Sequence, residues 1–234
     1  MKLGQLLFSQ GFGTRRECAA LIHAGEVTVR GAVCDDPDHE VDPAGLAFGV
    51  QGETWPYRAR ALIAMHKPAG RECSQKPKHH PSVYGLLPAP LRRRDVQAIG
   101  RLDEDTTGLL LFTDDGALIH RWTSPKRHIP KVYEVTCKHA VEEALVTQLR
   151  TGVTLLDAPQ PVRAAACEQT GVHTVRLTLT EGKYHQVKRM VAAAGNRVEA
   201  LHRSRYGAFA LPSDLAPGTW RWVDGAEAVE PGTR

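Results

Sequence analysis

The chain has no pair of cysteines at C-x-x-C spacing; its five, at 18, 34, 73, 137 and 167, are odd in number and widely separated. A zinc ribbon and a disulfide framework are therefore excluded as organising devices, and the pattern fits a reducing compartment, the cytoplasm. No apolar run approaches the roughly 18 residues that a membrane span needs. The opening MKLGQLLFSQG carries one lysine and a short apolar stretch broken by Gln5, which reads as an amphipathic helix and not as a secretory signal. Glycine-rich nucleotide loops, metal-ligand spacings and internal repeats are missing as well, and the only biased segment is a short Pro/Gly tail.

What is present is enough for a substantial core. Of 234 residues 42% are hydrophobic, which suits one large domain plus a small one. The net charge of +4 is unevenly spread. Residues 1–57 hold four Lys/Arg against eight Asp/Glu, whereas residues 58–234 hold twenty-six against eighteen. Two basic clusters stand out in the second part: residues 58–95, which include Arg92, Arg93 and Arg94, and residues 183–205, where His185 and His202 add to six Lys/Arg. Such clusters suit a phosphate backbone, although solvated loops would also explain them.

Along the chain, Leu3, Leu6, Leu7 and Gln10 recur at helical spacing and Gly11 can end the helix. Thr14 followed by Glu17 is a capping box opening a second helix with Cys18, Leu21 and Ile22 as its buried stripe. Arg15, Arg16 and His23 fall off that stripe. Val27 and Val29 alternate before an Arg30-Gly31 turn, and a second strand follows. Residues 43–56, rich in Gly and Pro, mark a boundary. Beyond it RALIAMHKP, KVYEVT and TVRLTLTEG alternate as strands, while residues 184–194 place Val187, Met190, Val191 and Ala194 on one helical face closed by Gly195. Strands dominate without a βαβ rhythm. The expected fold class is α+β: a small α/β module over 1–57 and a larger domain over 58–234 with a mostly antiparallel mixed sheet.

The stretch GRLDEDTTGLLLFTDDG, residues 100–116, concentrates carboxylates around an apolar run. As a calcium loop it puts Asp103, Asp105 and Thr107 at positions one, three and five, Gly108 at six and Asp114 at twelve. That last position should be a Glu, and Leu-Leu-Leu-Phe-Thr is a poor ligand scaffold. As an aspartyl-phosphate motif DEDTT matches D-x-D-x-T, but Gly100 and Arg101 interrupt the hydrophobic strand that should deliver the first Asp. As two ordinary turns around a buried strand, it leaves unexplained why Arg101 sits two residues before Asp103. Asp105, Asp114 and Asp115 read as turn formers, and His79-His80 as loop surface.

The same stretch resembles the G-R-L-D-x-x-T-x-G-L-L-L-x-T-x-D-G signature of pseudouridine synthases of the RsuA family. HKPAG resembles that family's N-K-P-x-G turn, KVYEVT its K-x-Y strand, and EGKYHQVKRMVAAAGNRVEALHRSRYG its C-terminal motif. The helix pair and hairpin over about residues 2–50 resemble the S4 RNA-binding module, with a DNA-binding helix-turn-helix as the competing reading. Two departures stand near Lys67: His66 replaces the usual Asn, and Arg71-Glu72 replace more apolar residues. HRWTSPKRHIPKVY and EGKYHQVKRM look closest to the members acting on small-subunit rRNA.

The resemblance implies an enzyme that breaks the N1–C1′ bond of a uridine, turns the uracil and rejoins it through C5, with no cofactor and no metal. It assigns the carboxylate beside C1′ to Asp103, as nucleophile or as electrostatic and proton-transfer partner. Glycosidases use carboxylates for a related transition state. An ionised Asp in an enclosed pocket wants a cation, here Lys188 or its neighbour Arg189. Tyr133 matches the base-stacking tyrosine of a flipped nucleotide. RNA contacts are implied for Arg101, Arg15, Arg16, Lys67, Lys126, Arg127, Lys131, His185, Gln186, Arg189 and Arg203. The implied partner is ribosomal RNA or an assembling small subunit, most closely at uridine-516 of 16S rRNA, met by a cytoplasmic monomer. A 23S target and a non-catalytic RNA-binding assembly factor are the alternatives.

Overall fold

The computed structural model describes residues 1–230, so the end of the Pro/Gly tail lies outside the described residues. The chain forms two compact units, one from residues 1–61 with 87–97 and one from residues 62–86 with 98–230. A linear division at residue 57 does not anticipate that 87–97 packs with the first unit.

In the first unit α1 (Leu3–Ser9) buries Leu3, Leu6 and Leu7, and α2 (Arg15–His23) buries Cys18 and Ile22. The capping box is formed: Glu17 N donates to Thr14 Oγ1 at 3.3 Å, and Thr14 N donates to Glu17 Oε2 at 2.6 Å. Two free backbone donors at the helix start are thereby satisfied. Strands β1 (Val27–Val29), β2 (Ala32–Val33), β3 (Ala47–Val50) and β4 (Glu53–Pro56) make an antiparallel sheet in the order β2-β1-β3-β4. Phe12 packs edge-on to both Phe48 and Trp55 at the margin of this core. Gln10 is buried and satisfied: its amide nitrogen donates to Arg58 O at 3.1 Å, while its oxygen accepts from Arg58 N and from Arg94 Nη1 at 2.8 Å. Gly11 is required here. Its φ is 84°, and a Cβ would meet Pro90 O in α3 (Ala89–Arg93) at 2.2 Å. The Arg92-Arg93-Arg94 cluster is thus partly structural, since Arg93 Nη1 also donates to Phe12 O.

The second unit is built on one twisted sheet. Its strands are β5 (Leu62–Lys67), β7 (Thr107–Thr113), β8 (Lys131–Cys137), β9 (Ala166–Gly171), β10 (Thr174–Leu179), β11 (Val198–Tyr206), β12 (Phe209–Ala210) and β13 (Trp220–Trp222); the two-residue β6 (Gln97–Ala98) falls where the sequence passes between the units. The order is β13-β5-β7-β11-β8-β10-β9, with β12 on β11. Every one of these pairings is antiparallel except β7 with β11, which is parallel. The α+β class and the mostly antiparallel mixed sheet are as the sequence predicts.

The apolar run at 109–112 is β7, fully buried on both faces. Leu109 and Leu111 join Trp122 and Tyr206 in one cluster, while Phe112 on the opposite face meets the edge of Tyr84. A continuous hydrophobic run is what a strand covered on both sides requires. Gly108 precedes it at φ 104°, and a Cβ there would lie 2.3 Å from Arg203 O and 2.7 Å from Arg203 N. The signature glycine therefore lets β11 approach β7. Three helices flank the sheet: α4 (Gly116–Thr123), α5 (Glu143–Thr151) and α6 (Gln186–Ala193). The last begins two residues later than the periodicity predicts, because His185 takes a left-handed backbone, φ 46°, that interrupts the helix. Among the described residues no helix is long and apolar enough to cross a membrane.

Candidate active site

The acidic stretch settles into a turn that hands the chain to β7. Thr106 N donates to Asp103 O at 3.1 Å, closing the turn. Beneath it lies Lys67 at the end of β5, fully buried, with Nζ donating to the carbonyls of Pro68, Glu104 and Thr106 at 3.0, 3.1 and 2.8 Å. All three ammonium protons are used, so Lys67 has none left for RNA. Its expected role as an RNA contact is corrected: it fixes the backbone that carries Asp103. Burial lowers its pKa from the usual lysine range, with Cys73 and the nearby carboxylates opposing. Gly70 N donates to Glu104 O at 2.8 Å, so the HKPAG turn and the acidic turn brace each other.

This geometry also removes the calcium-loop reading. Residues 107–113 are extended, which puts Asp114 on the order of 20 Å from the first carboxylates at about 3.3 Å per residue. Ligands so far apart cannot converge on one ion. At that far end Asp115 caps α4, accepting from Ala117 N at 2.9 Å and Leu118 N at 3.1 Å.

Asp103 itself is clamped. Lys188 Nζ, from the first turn of α6, lies 3.1 Å from Asp103 Oδ2, and His185 Nε2 lies 3.3 Å from Oδ1. The carboxylate is 24% exposed, sheltered but reachable. The left-handed backbone of His185 turns its imidazole to this position, and the Tyr184 ring stacks on it at 3.8 Å. Lys188 is shared with Asp105, whose Oδ1 and Oδ2 accept from it at 2.7 and 2.9 Å. Burial pulls the Lys188 pKa down, but hydrogen bonds to Asp105 and Asp103 outweigh it and the net shift is upward. Burial likewise opposes ionisation of Asp105, and the Lys188 ammonium reverses that, leaving its carboxyl below the usual range. The Lys188 ammonium thus bridges two carboxylates. By sequence Asp105 is a turn former; its place in the clamp has no local signal there.

Arg189, one residue on, points elsewhere. Its guanidinium pairs with Asp157 and donates to Tyr184 O at 3.1 Å. The open choice between Lys188 and Arg189 as the partner of Asp103 falls to Lys188, and Arg189 ties down the loop that precedes β9.

Asp103, Lys188 and His185 stand at one side of a pocket whose other walls include Tyr133, Lys131, Arg203 and Tyr206. Tyr133 is 8% exposed and lines this pocket from β8. Arg101 is exposed at the rim. Gln186 is buried; its amide nitrogen donates to Glu181 Oε1 at 2.8 Å and its oxygen accepts from Lys183 N at 2.8 Å. Its expected RNA contact is corrected to a brace holding the start of α6. Arg203 is buried too, with Nε donating to Leu109 O at 2.8 Å, and cannot grip an RNA backbone from outside. Lys126 and Arg127 are exposed on the 3-10 turn Pro125–Arg127 and do not line the pocket. Arg15 and Arg16 are exposed on α2 of the first unit, Arg15 lying over the Phe8 ring at 5.0 Å.

Residues 61–193 match the family model described as RNA pseudouridylate synthase. The chain is 40% identical to the ribosomal small subunit pseudouridine synthase A of Yersinia pestis, covering 84% of this chain and 81% of that one. It is 38% identical to the protein of the same name from Escherichia coli (strain K12), over 94% and 95%. It is 39% identical to the uncharacterized RNA pseudouridine synthase YtzG of Bacillus subtilis, over 94% of each. A crystal structure of a pseudouridylate synthase superposes with a TM-score of 0.68 at 33% identity, covering 97% of this chain and 98% of that one.

Proposed function

The chain belongs to the pseudouridine synthases of the RsuA family and is an RNA pseudouridine-forming isomerase, and from that premise we propose that it converts one uridine of small-subunit 16S rRNA, uridine-516, to pseudouridine. The observation that carries the site assignment is the clamp of Asp103 by Lys188 and His185 beside a pocket walled by Tyr133. The target nucleotide leaves its stack and enters this pocket, where Tyr133 offers a ring for the base. Asp103 then meets C1′, where positive charge grows as the bond to N1 weakens. Lys188 holds the Asp103 carboxylate in place, and the Lys67 ammonium keeps the turn beneath it from moving. The uracil turns, C5 bonds to C1′, the proton at C5 leaves, and N1 takes one up. Atoms balance within the isomerisation.

Identity along nearly the full length with enzymes named for the small subunit supports the 16S target over a 23S one. Arg101 at the rim and Lys126-Arg127 beyond it are assigned to phosphates. The first unit serves as an S4-like RNA-binding module through Arg15 and Arg16, which are exposed on α2. Ribosomal RNA in the cytoplasm, free or in an assembling particle, is the partner.

The test is a map of pseudouridines in rRNA from cells with the gene, without it, and with Asp103→Asn. The expected result is one 16S position lost in the last two. A lost 23S position would move the target to the large subunit. An unchanged map would leave only a non-catalytic RNA binder.

A further inference from the structure

Two cations in the pocket, one buried and one half-buried, have no carboxylate of their own. Arg203 is 2% exposed; its Nε is satisfied, but its Nη2 is buried without a hydrogen-bond partner among the described residues. Lys131 is half-buried and its Nζ makes a single hydrogen bond, to Ile129 O at 3.0 Å. The strands explain why they meet. Arg203 on β11 stands opposite Tyr133 on β8, and Tyr206 stands opposite Lys131. Lys131 is two residues from Tyr133, hence on the same face of the sheet. Both cations lie 5.2 Å from the centroid of the Tyr206 ring. Four side chains thus make one patch on the pocket wall, with two positive charges beside the ring assigned to the base.

An uncompensated buried cation is costly, and this fold shows at Lys67 how it satisfies one internally. The patch is built otherwise. Asp103 is held by Lys188 and His185, and Glu181 is engaged by Gln186 and lies 3.6 Å from Lys183 Nζ. Tyr206 donates its hydroxyl to Trp122 O at 2.8 Å, and burial pushes its pKa up to about 12, so it presents a neutral ring. Thr123 and Pro125, which close the pocket nearby, carry no charge. A ligand must supply the missing acceptors. With Asp103 at the sugar and Tyr133 at the base, the group that reaches this wall is the uracil ring.

We propose that Lys131 and Arg203 bind the carbonyl oxygens of the extruded uracil and stabilise the negative charge that gathers there as the N1–C1′ bond breaks. The inference rests on the pseudouridine-forming reading above. The bond's electron pair stays with N1 and spreads onto the two oxygens. It is withdrawn again when C5 forms its bond to C1′, the C5 proton leaves and N1 is protonated. Neither cation transfers a proton, and the burial of Arg203 makes its charge effective. Exposed cations such as Arg101 are left for phosphates. Burial first, and the Arg203 charge second, push the Lys131 pKa down to about 8, with Glu181 opposing. Its cationic form is present below that pH and is lost above it.

The test separates binding from chemistry with the full-length protein and 16S RNA in single-turnover reactions. Lys131→Met should slow pseudouridine formation by about 10²–10³-fold and change the RNA Kd by no more than about twofold, as expected for a group acting on developing charge. Wild-type rates should fall above about pH 8, and Lys131→Arg should recover most of the rate and move that fall to higher pH. Arg203→Met should lose rate in the same way, provided its melting temperature matches wild type; if it does not fold, the Lys131 variants decide alone. The proposal is overturned if Lys131→Met weakens binding while sparing the single-turnover rate, which would make the patch a phosphate clamp. It is also overturned if the rate is unchanged, or if Lys131→Arg keeps the wild-type alkaline fall. A wild-type protein that forms no pseudouridine would sink the functional reading and this one together; normal wild-type activity with an unaffected Lys131→Met sinks this one only.

Discussion

At the start of β7 the chain reads D-E-D-T-T and at its end T-D-D-G, and the two ends sit in different chemistry. Asp103 and Asp105 at the start share the Lys188 ammonium, with His185 as a second neighbour of Asp103, beside a pocket. Asp115 at the end receives two backbone N–H groups and starts α4. One carboxylate is aimed at a ligand by side chains from a distant helix. The other answers donors two and three residues away. Carboxylate density alone does not mark a site; the origin of the partners does, because a cap is a local debt of the backbone whereas an imported cation serves something else.

Substitutions can break that comparison at either end. The largest effect belongs to Asp103→Asn, which keeps the shape and removes the charge: kcat should fall by at least about 10³-fold with the melting temperature nearly unchanged, measured by pseudouridine formation and thermal unfolding. A variant with more than about a tenth of wild-type kcat would remove Asp103 from the chemistry. Next comes the strand between the two ends. Leu111→Ala opens a cavity in the cluster with Trp122 and Tyr206 and should cost about 2–5 kcal/mol of stability by urea unfolding. Third are two adjacent cations. Lys188→Met should lower kcat by roughly 10–10²-fold because Asp103 and Asp105 lose their shared partner, while Arg189→Met should leave kcat within about threefold, since its partner is Asp157. Equal losses from the two would dissolve the distinction between them.

Much of this was legible in the letters. The Thr14–Glu17 box is a contact across three residues, while the alternating strands, the β7 run and the four ordered motifs are visible as local patterns, and they appear as read. The missing parts depend on contacts far along the chain. Lys67 and Arg203 look like surface cations in sequence, yet each is buried against carbonyls from elsewhere, whereas Gln186 is buried against Glu181 and Lys183 a few residues away. Asp105 joins the clamp only because α6 folds back 83 residues later. The late start of α6 comes from a left-handed His185, a conformation that no neighbouring residue dictates. Gly108 is required by the backbone of Arg203, so its reason lies on another strand. Motif order was therefore a better guide to function than the apparent exposure of any single charged residue.

The smallest effect gives the sharpest contrast, since the same exchange can be made at both ends of one strand. Asp115→Asn retains an oxygen able to accept from Ala117 N and Leu118 N, and Asn is about as good a cap as Asp. What it loses is a negative charge at a helix N-terminus, worth roughly 0.3–1 kcal/mol. Asp115→Ala loses the hydrogen bonds too and should cost about 1 kcal/mol. Neither should alter kcat. Stability loss without activity loss at residue 115, set against activity loss without stability loss at residue 103, would show that the two carboxylates differ in their partners and not in their type. If Asp115→Asn lowered kcat as Asp103→Asn does, α4 would have to be holding the pocket in shape, and the catalytic role would extend to the far end of β7.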